Sequence, residues 1–517
     1  MIALLLRVSM LNFSKRLSAR VLYLLSTQFH LPPTPTHHTL LTSSLSTYRQ
    51  ALTLTQDPLL ESDTAYNLAI GLIEWADLAE DFVFPGITIT SGVAGLGEQG
   101  IERTRIEARE LLEKVCVFQQ AYLSTHPEDS EENPDLGQDA EMNIDEEADE
   151  GPSSNMFETH IPTPSSLLDT LLLIVDLDIS LLGALDPDLN SAILTAEPTQ
   201  IVIKRAQALL REARKVDTIG LLTTIKESEL ATVLLDMGIL FDPAVDSPAV
   251  ISKEPEAQLI VLRQLKERLD GLQPQADSLD VDTKLAYSTA LSNLHGLVAR
   301  VATPWEQLSS SITITNKALA LPFSILTNPL SQASLSLDLG HTSLRRAFLA
   351  IETNSQRAEV AVKNLAVLLK NAETYTNRAL TALSWASLAS EAASGFSSST
   401  GGTLSIGLSS SASSSNLPPT QGWDHERLGR SAVLTLLRTL WYSSSDMFGP
   451  THVAPAGAQD KGAKLLSKIK ALKAERRIDP VDVERFVEEF ELEEGGLRDE
   501  EALFWNGVKA EVQEVSS

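Results

Sequence analysis

The sequence predicts an all-α protein built of antiparallel helix pairs, interrupted by one acidic and one serine-rich insertion. Three observations carry that expectation. Aromatic residues are only 5% of the 517, and the apolar remainder is mostly Leu, Ala, Val and Ile; Leu and Ala are strong helix formers. Apolar positions recur at spacings of three and four, the signature of a one-sided helix. Two low-complexity stretches, Glu128 to Glu150 and Ser394 to Gly422, stand between segments of that kind.

Taken in chain order, residues 1–30 open two readings. No Asp or Glu precedes Asp57, while Arg7, Lys15, Arg16 and Arg20 lie early. An acid-free start containing Arg and Ser is similar to a mitochondrial presequence. The other reading is a first helix from Arg20 to Phe29 behind a short irregular lead. Residues 31–127 read as helices. Residues 128–164 are an insertion whose acidic core, Glu128 to Glu150, has no Lys or Arg. Such a stretch buries too little apolar surface to offset its ordering entropy and is expected to be disordered. Residues 165–393 are helical again. Leu168, Leu171, Leu172, Val175 and Ile179 form one stripe. The stretches 203–216, 360–369 and 379–388 repeat the pattern. Residues 394–422 form a Ser/Gly-rich linker. Residues 423–517 hold the last helices, with Asp479-Pro480 and Asp499 marking helix starts. Two short runs reading ITIT, at 87–90 and 312–315, are expected as extended loop or a minor hairpin.

Charge and cysteine content bound the function. A formal net charge of −28 repels phosphates, so neither nucleic acid nor an anionic membrane is expected as a direct partner. Cys116 is the only cysteine, which rules out an internal disulfide and fits a reducing compartment.

The residues from Ser44 to Leu78 carry a resemblance. Ser44, Tyr48 and Ala51 follow a small–bulky–small spacing, and Asp57-Pro58 closes a turn. Tyr66, Leu68, Ala69 and Leu72 follow in order. Ala206, Leu210 and Ala213 repeat the first spacing. Short side chains let two helix backbones approach, and the bulky one fills the groove beside them. This arrangement resembles the tetratricopeptide family, which implies a superhelix of antiparallel helix pairs that binds other proteins. An acidic insertion among such helices also resembles histone-binding chaperones of the NASP type. That likeness implies a basic client, such as a histone or ribosomal protein, shielded by the acidic run. Without it, the run is a solubilising spacer. On these resemblances Tyr48, Tyr66, Asn67, Glu146, Glu147, Asp149 and Glu150 are the expected protein-binding residues.

The chemistry-bearing motifs point away from catalysis. Gly95, Gly97 and Gly100 spell G-x-G-x-x-G, but the second strand and acidic residue of a dinucleotide site do not follow. Gly457 and Gly462 have phosphate-loop separation, but Ala463 stands where Lys is needed. His425-Glu426 lacks the second His of a zinc-protease helix. His37-His38 reads as a solvated pair in a Pro-rich loop. Asp176 and Asp178 lie two apart on a helix and do not face each other; Asp186 and Asp188 flank Pro187 in a turn. Cys116 reads as an inert core thiol. The basic cluster Lys461, Lys464, Lys468, Lys470, Lys473, Arg476 and Arg477 reads as an amphipathic helix with a solvated face, or as a nuclear localisation or docking signal. No enzyme, cofactor or metal is expected. The expected function is a protein-binding scaffold of cytoplasm or nucleus, a chaperone for a basic client. The alternatives are an adaptor in transport or translation, and a mitochondrial helical protein.

Overall fold

In a computed structural model of the chain, the described residues are 2–27, 35–81, 98–126, 161–183, 197–240, 250–251, 254–276, 280–321, 329–351, 356–383, 385, 423–445, 448, 458–471, 478–494 and 497–514. They contain sixteen helices and one two-stranded ladder. The helices are α1 (Ile2–Thr27), α2 (Pro35–Leu54), α3 (Pro58–Asp81), α4 (Glu98–Thr125), α5 (Pro164–Gly183), α6 (Glu197–Val216), α7 (Leu221–Asp236), α8 (Pro255–Ala276), α9 (Val281–Val301), α10 (Pro304–Leu319), α11 (Pro329–Phe348), α12 (Gln356–Ala382), α13 (Trp423–Ser444), α14 (Ala458–Lys470), α15 (Pro480–Glu494) and α16 (Asp499–Glu514). The protein is therefore all-α, its successive helices packed as antiparallel pairs in chain order. Proline opens many of them, because its fixed φ suits the first helical position and its missing N–H has no helical partner there. The ladder pairs β1 (Ile239–Leu240) with antiparallel β2 (Val250–Ile251). The chain divides into two compact units, residues 1–26 with 35–227, and residues 27–34 with 228–517.

In the first unit α2 packs on α3, α3 on α4, α4 on α5 and α5 on α6. Ser44, Ala51, Ala69, Ala206 and Ala213 are fully buried, with Tyr48, Leu68, Leu72 and Leu210 beside them. The α2–α3 contact is close enough that a Cβ on Gly71 would lie 2.8 Å from Leu45 Cδ2. Polar cross-links join the same helices. Ser44 Oγ donates to the Ala19 carbonyl of α1 at 2.7 Å, and Trp75 Nε1 donates to Thr42 Oγ1 at 3.3 Å. Arg49 on α2 grips Glu107 on α4 through two bonds of 3.0 and 2.8 Å.

In the second unit α8 to α13 pack each on the next, and α13 to α16 close a four-helix group. Its core combines Leu380, Leu437, Ile469, Phe486, Phe490 and Trp505. Arg438 and Glu501 are buried inside that unit, with Nε donating to Oε1 at 2.6 Å. The guanidinium lies 3.9 Å from the Phe490 ring centroid. Tyr442 Oη and, at 3.4 Å, Trp505 Nε1 donate to the same carboxylate.

Several expectations change. Ile312–Thr315 is helix, inside α10, not extended loop. Its hydroxyls are absorbed locally, Thr313 and Thr315 donating to carbonyls four residues back at 2.9 and 3.0 Å. Leu308, Ser311, Thr315 and Ala318 face inward, so tertiary packing overrides the β-branched residues' preference. The irregular lead at the N-terminus is helical from Ile2. His37-His38 is not a solvated loop pair: Pro35 starts α2, His37 is buried, and the His38 ring lies 5.7 Å from that of Trp75. The described part of the basic cluster lies on α14, with Leu465 and Ile469 buried. Lys464 and Lys468 are exposed, the solvated face expected, while Lys461 pairs with Glu373 and Lys470 with Glu511, both at 2.8 Å. The ITIT run at 87–90, the acidic run, Asp186, Asp188 and the serine-rich linker lie outside the described residues.

Candidate protein-binding cleft

The first unit carries an open cleft of about 270 Å³ where the end of α2, the start of α3 and the middle of α4 meet. Local sequence explains the opening. Asp57 accepts from the Leu59 N–H at 2.9 Å and caps α3, and Pro58 follows it as the first helical residue. That sharp start leaves a gap between the α2–α3 turn and α4. Ala65, Leu111 and Val115 form a buried apolar floor, the short Ala65 side chain leaving the space unfilled. Leu52 and Phe118 are half-buried walls, and Pro58, Ser62, Glu61 and Lys114 line the rim. On α4 the lining positions 111, 114, 115 and 118 follow helical spacing and so share one face. Beyond Phe118 the same face carries Tyr122, whose ring stacks on His126 at 4.3 Å.

Chemically, the cleft offers apolar contact with one acid and one base at its edge. At about 270 Å³ it lies just below the roughly 300–1,000 Å³ of small-molecule sites.

Of the sequence-predicted residues, Tyr48, Tyr66 and Asn67 are described and do not line this cleft. Tyr48 is buried at 4% exposure and works in the core. Burial pushes its hydroxyl up to about 12. Tyr66 is half-buried; burial and then the Asp169 carboxylate of α5 raise its pKa. Asn67 is half-buried and donates to the Asp63 carbonyl at 2.7 Å. Glu146, Glu147, Asp149 and Glu150 lie outside the described residues. Of the lining residues, the sequence singles out Pro58 alone, as part of the Asp57-Pro58 turn. The Leu111, Val115, Phe118 spacing was readable, but a stripe alone does not say where a neighbouring helix stands off.

Other candidate chemistry resolves into packing. Asp178 is fully buried and accepts from Arg205 Nε at 2.9 Å, while Asp176 meets Lys226 at 2.7 Å. The two carboxylates thus serve different neighbours, as their spacing requires. Burial raises the Asp178 pKa, against the lowering effect of Arg205. His425 and Glu426 are buried in the first turns of α13, 3.5 Å apart. Cys116 is buried, and burial pushes its thiol up to about 11. Among the described residues no group of three His, Cys, Asp or Glu could hold a metal, and no helix is long and apolar enough to cross a membrane.

No known protein family matches the chain, and no curated protein does. Among solved structures, one described as a circular tandem repeat protein with novel repeat topology and enhanced subunit contact surfaces aligns over 99% of this chain and 95% of its own. The identity is 12% and the TM-score 0.26.

Proposed function

We propose that this protein is a non-catalytic, tetratricopeptide-like scaffold of cytoplasm or nucleus that binds another protein through the α2–α3–α4 cleft. The observation that carries the reading is the cleft itself. It has an apolar floor, a mixed-charge rim and side-chain dimensions, and it opens at the helix junction whose spacing resembles a tetratricopeptide unit. The partner is basic, such as a histone or ribosomal protein. The net charge of −28 and the lysine-free run 128–150 support that choice, because opposite potentials speed encounter and reject like-charged competitors. In this reading the acidic run shields the client, as in chaperones of the NASP type.

Titration of the full chain with purified core histones tests this. Binding should weaken steeply as salt is raised, and deletion of 128–150 should weaken it further. Loss of neither would refute the client-shielding role. An adaptor in transport or translation is the second reading, favoured if binding survives that deletion unchanged while cleft substitutions abolish it.

A further inference from the structure

We infer that the outward face of α12, in the second unit, docks an acidic amphipathic helix of another protein. This surface shares no residue with the α2–α3–α4 cleft, so its failure would leave the proposed function standing. Helix α12 carries two patterns. Its inner side is ordinary core, with Ala361, Leu365, Leu368 and Ala372 buried. Its outer side repeats every seven residues. Val360, Val367 and Thr374 are exposed, the two valines at 40% and 58%. One turn on from each, Asn364, Asn371 and Arg378 are exposed as well, and Lys363 and Lys370 stand beside them. Positions three, four and seven apart share one helix face. A straight helix drifts only about 20° per heptad, so the series keeps to one side from Val360 to Arg378, about 27 Å.

A valine on the wet side of a helix gains neither burial nor propensity, since Val is a weaker helix former than Ala or Lys. Two valines seven apart, alternating with asparagines one turn on, make the seam on which a second helix packs. Valine fills the holes and asparagine fixes the register. Charge names the occupant. Lys363, Lys370 and Arg378 place three cations along the seam. The two acids of α12 offset them only in part. Glu373 pairs with Lys461 of α14 at 2.8 Å, and Glu359 lies in the first turn, at the far end from Arg378. The same face of a second copy, or a basic helix, would set cation against cation. A helix with Glu or Asp flanking its apolar stripe meets both the seam and the cations. The net charge of −28 repels such a helix at long range. Exposed charges beyond about 8 Å are largely screened at physiological salt, so the cations of the seam decide at contact.

The probe is a fluorescein-labelled amphipathic peptide of about three heptads, with Leu on its seam and Glu on both flanks. Its comparison carries Gln in place of every Glu. Anisotropy is read with the full-length protein. The Glu peptide should bind about tenfold tighter than the Gln peptide, and the preference should shrink as salt is raised. Repulsion by the net charge alone gives the opposite order. Lys370→Glu combined with Arg378→Glu should erase the preference. Val367→Ser should weaken both peptides by up to about tenfold, the loss expected from one buried valine. All three positions are exposed, and circular dichroism confirms that each variant is folded. A Gln peptide that binds as tightly as the Glu peptide, binding of neither, or a preference that survives the Lys370→Glu, Arg378→Glu variant would overturn the inference.

Discussion

Replacing Glu501 by Gln should take a counter-charge from a buried guanidinium, and the cost follows from the surroundings of Arg438. Arg438 has a side-chain exposure of 0% and Glu501 of 2%, and the Nε–Oε1 bond is 2.6 Å. Both charges are desolvated, so removing either leaves the other buried without that counter-charge. The guanidinium also lies over Phe490 at 3.9 Å and near Phe348 at 5.0 Å, faces that attract a cation but do not replace its counter-charge. Removing one member of such a pair costs about 3–5 kcal/mol, because the other charge stays buried. At about 2–3 °C per kcal/mol for a large domain, the melting transition of the second unit should fall by about 6–15 °C. The double variant Arg438→Met with Glu501→Leu should recover much of that loss, since apolar replacements of both partners are often neutral or stabilising. Urea unfolding followed by tryptophan fluorescence reads the effect, because Trp505 donates to Glu501 and packs on Phe486 at 5.1 Å. A single-variant cost under about 1 kcal/mol would show that the pair behaves as a solvated one. A double variant less stable than the single one would refute the desolvation reasoning.

Three further outcomes are expected. Gly340→Ala places a Cβ 2.8 Å from Thr376 Oγ1, an atom already bonded to the Ala372 carbonyl at 2.8 Å; the clash should outweigh the gain in helix propensity, with a net loss of about 1–2 kcal/mol in denaturant titration. Burial lowers the pKa of His37, His38 and His295, so between the folded values and the unfolded value near 6.5 the unfolded chain binds more protons. The stability these histidines confer is present in full above about pH 6.5 and is lost as pH falls through the folded values. Thermal melts from pH 7.5 to 5 should show that decline, and His295→Gln should make it shallower. Cys116, buried with its thiol near 11, should react with a maleimide at pH 7.5 at least about a hundredfold more slowly in the native protein than in urea.

Sequence reasoning reached the helices because their signal is local. The spacing of Ser44, Tyr48 and Ala51 appears as three buried residues on α2, and the stripe from Leu168 to Val175 as buried positions of α5. It failed where a distant neighbour decides. Ile312–Thr315 looks like a strand until Ser292 of α9 supplies a hydroxyl that meets Ser311 at 2.7 Å and Thr315 at 3.0 Å. His37 looks solvated until its burial in α2 is seen. The Asp178–Arg205 and Arg438–Glu501 pairs join residues 27 and 63 positions apart, and no periodicity links their charges. The cleft was illegible for the same reason. Its floor is written in ordinary apolar spacing, but the gap above it depends on how the start of α3 stands away from α4.

Hydrogen–deuterium exchange of the full-length protein, with and without purified core histones, tests the central claim most directly. The account predicts slower exchange on binding at the end of α2, the start of α3 and residues 111–118 of α4, the segments that line the cleft. Tight histone binding with protection confined to other segments, or no histone binding at all, would contradict it.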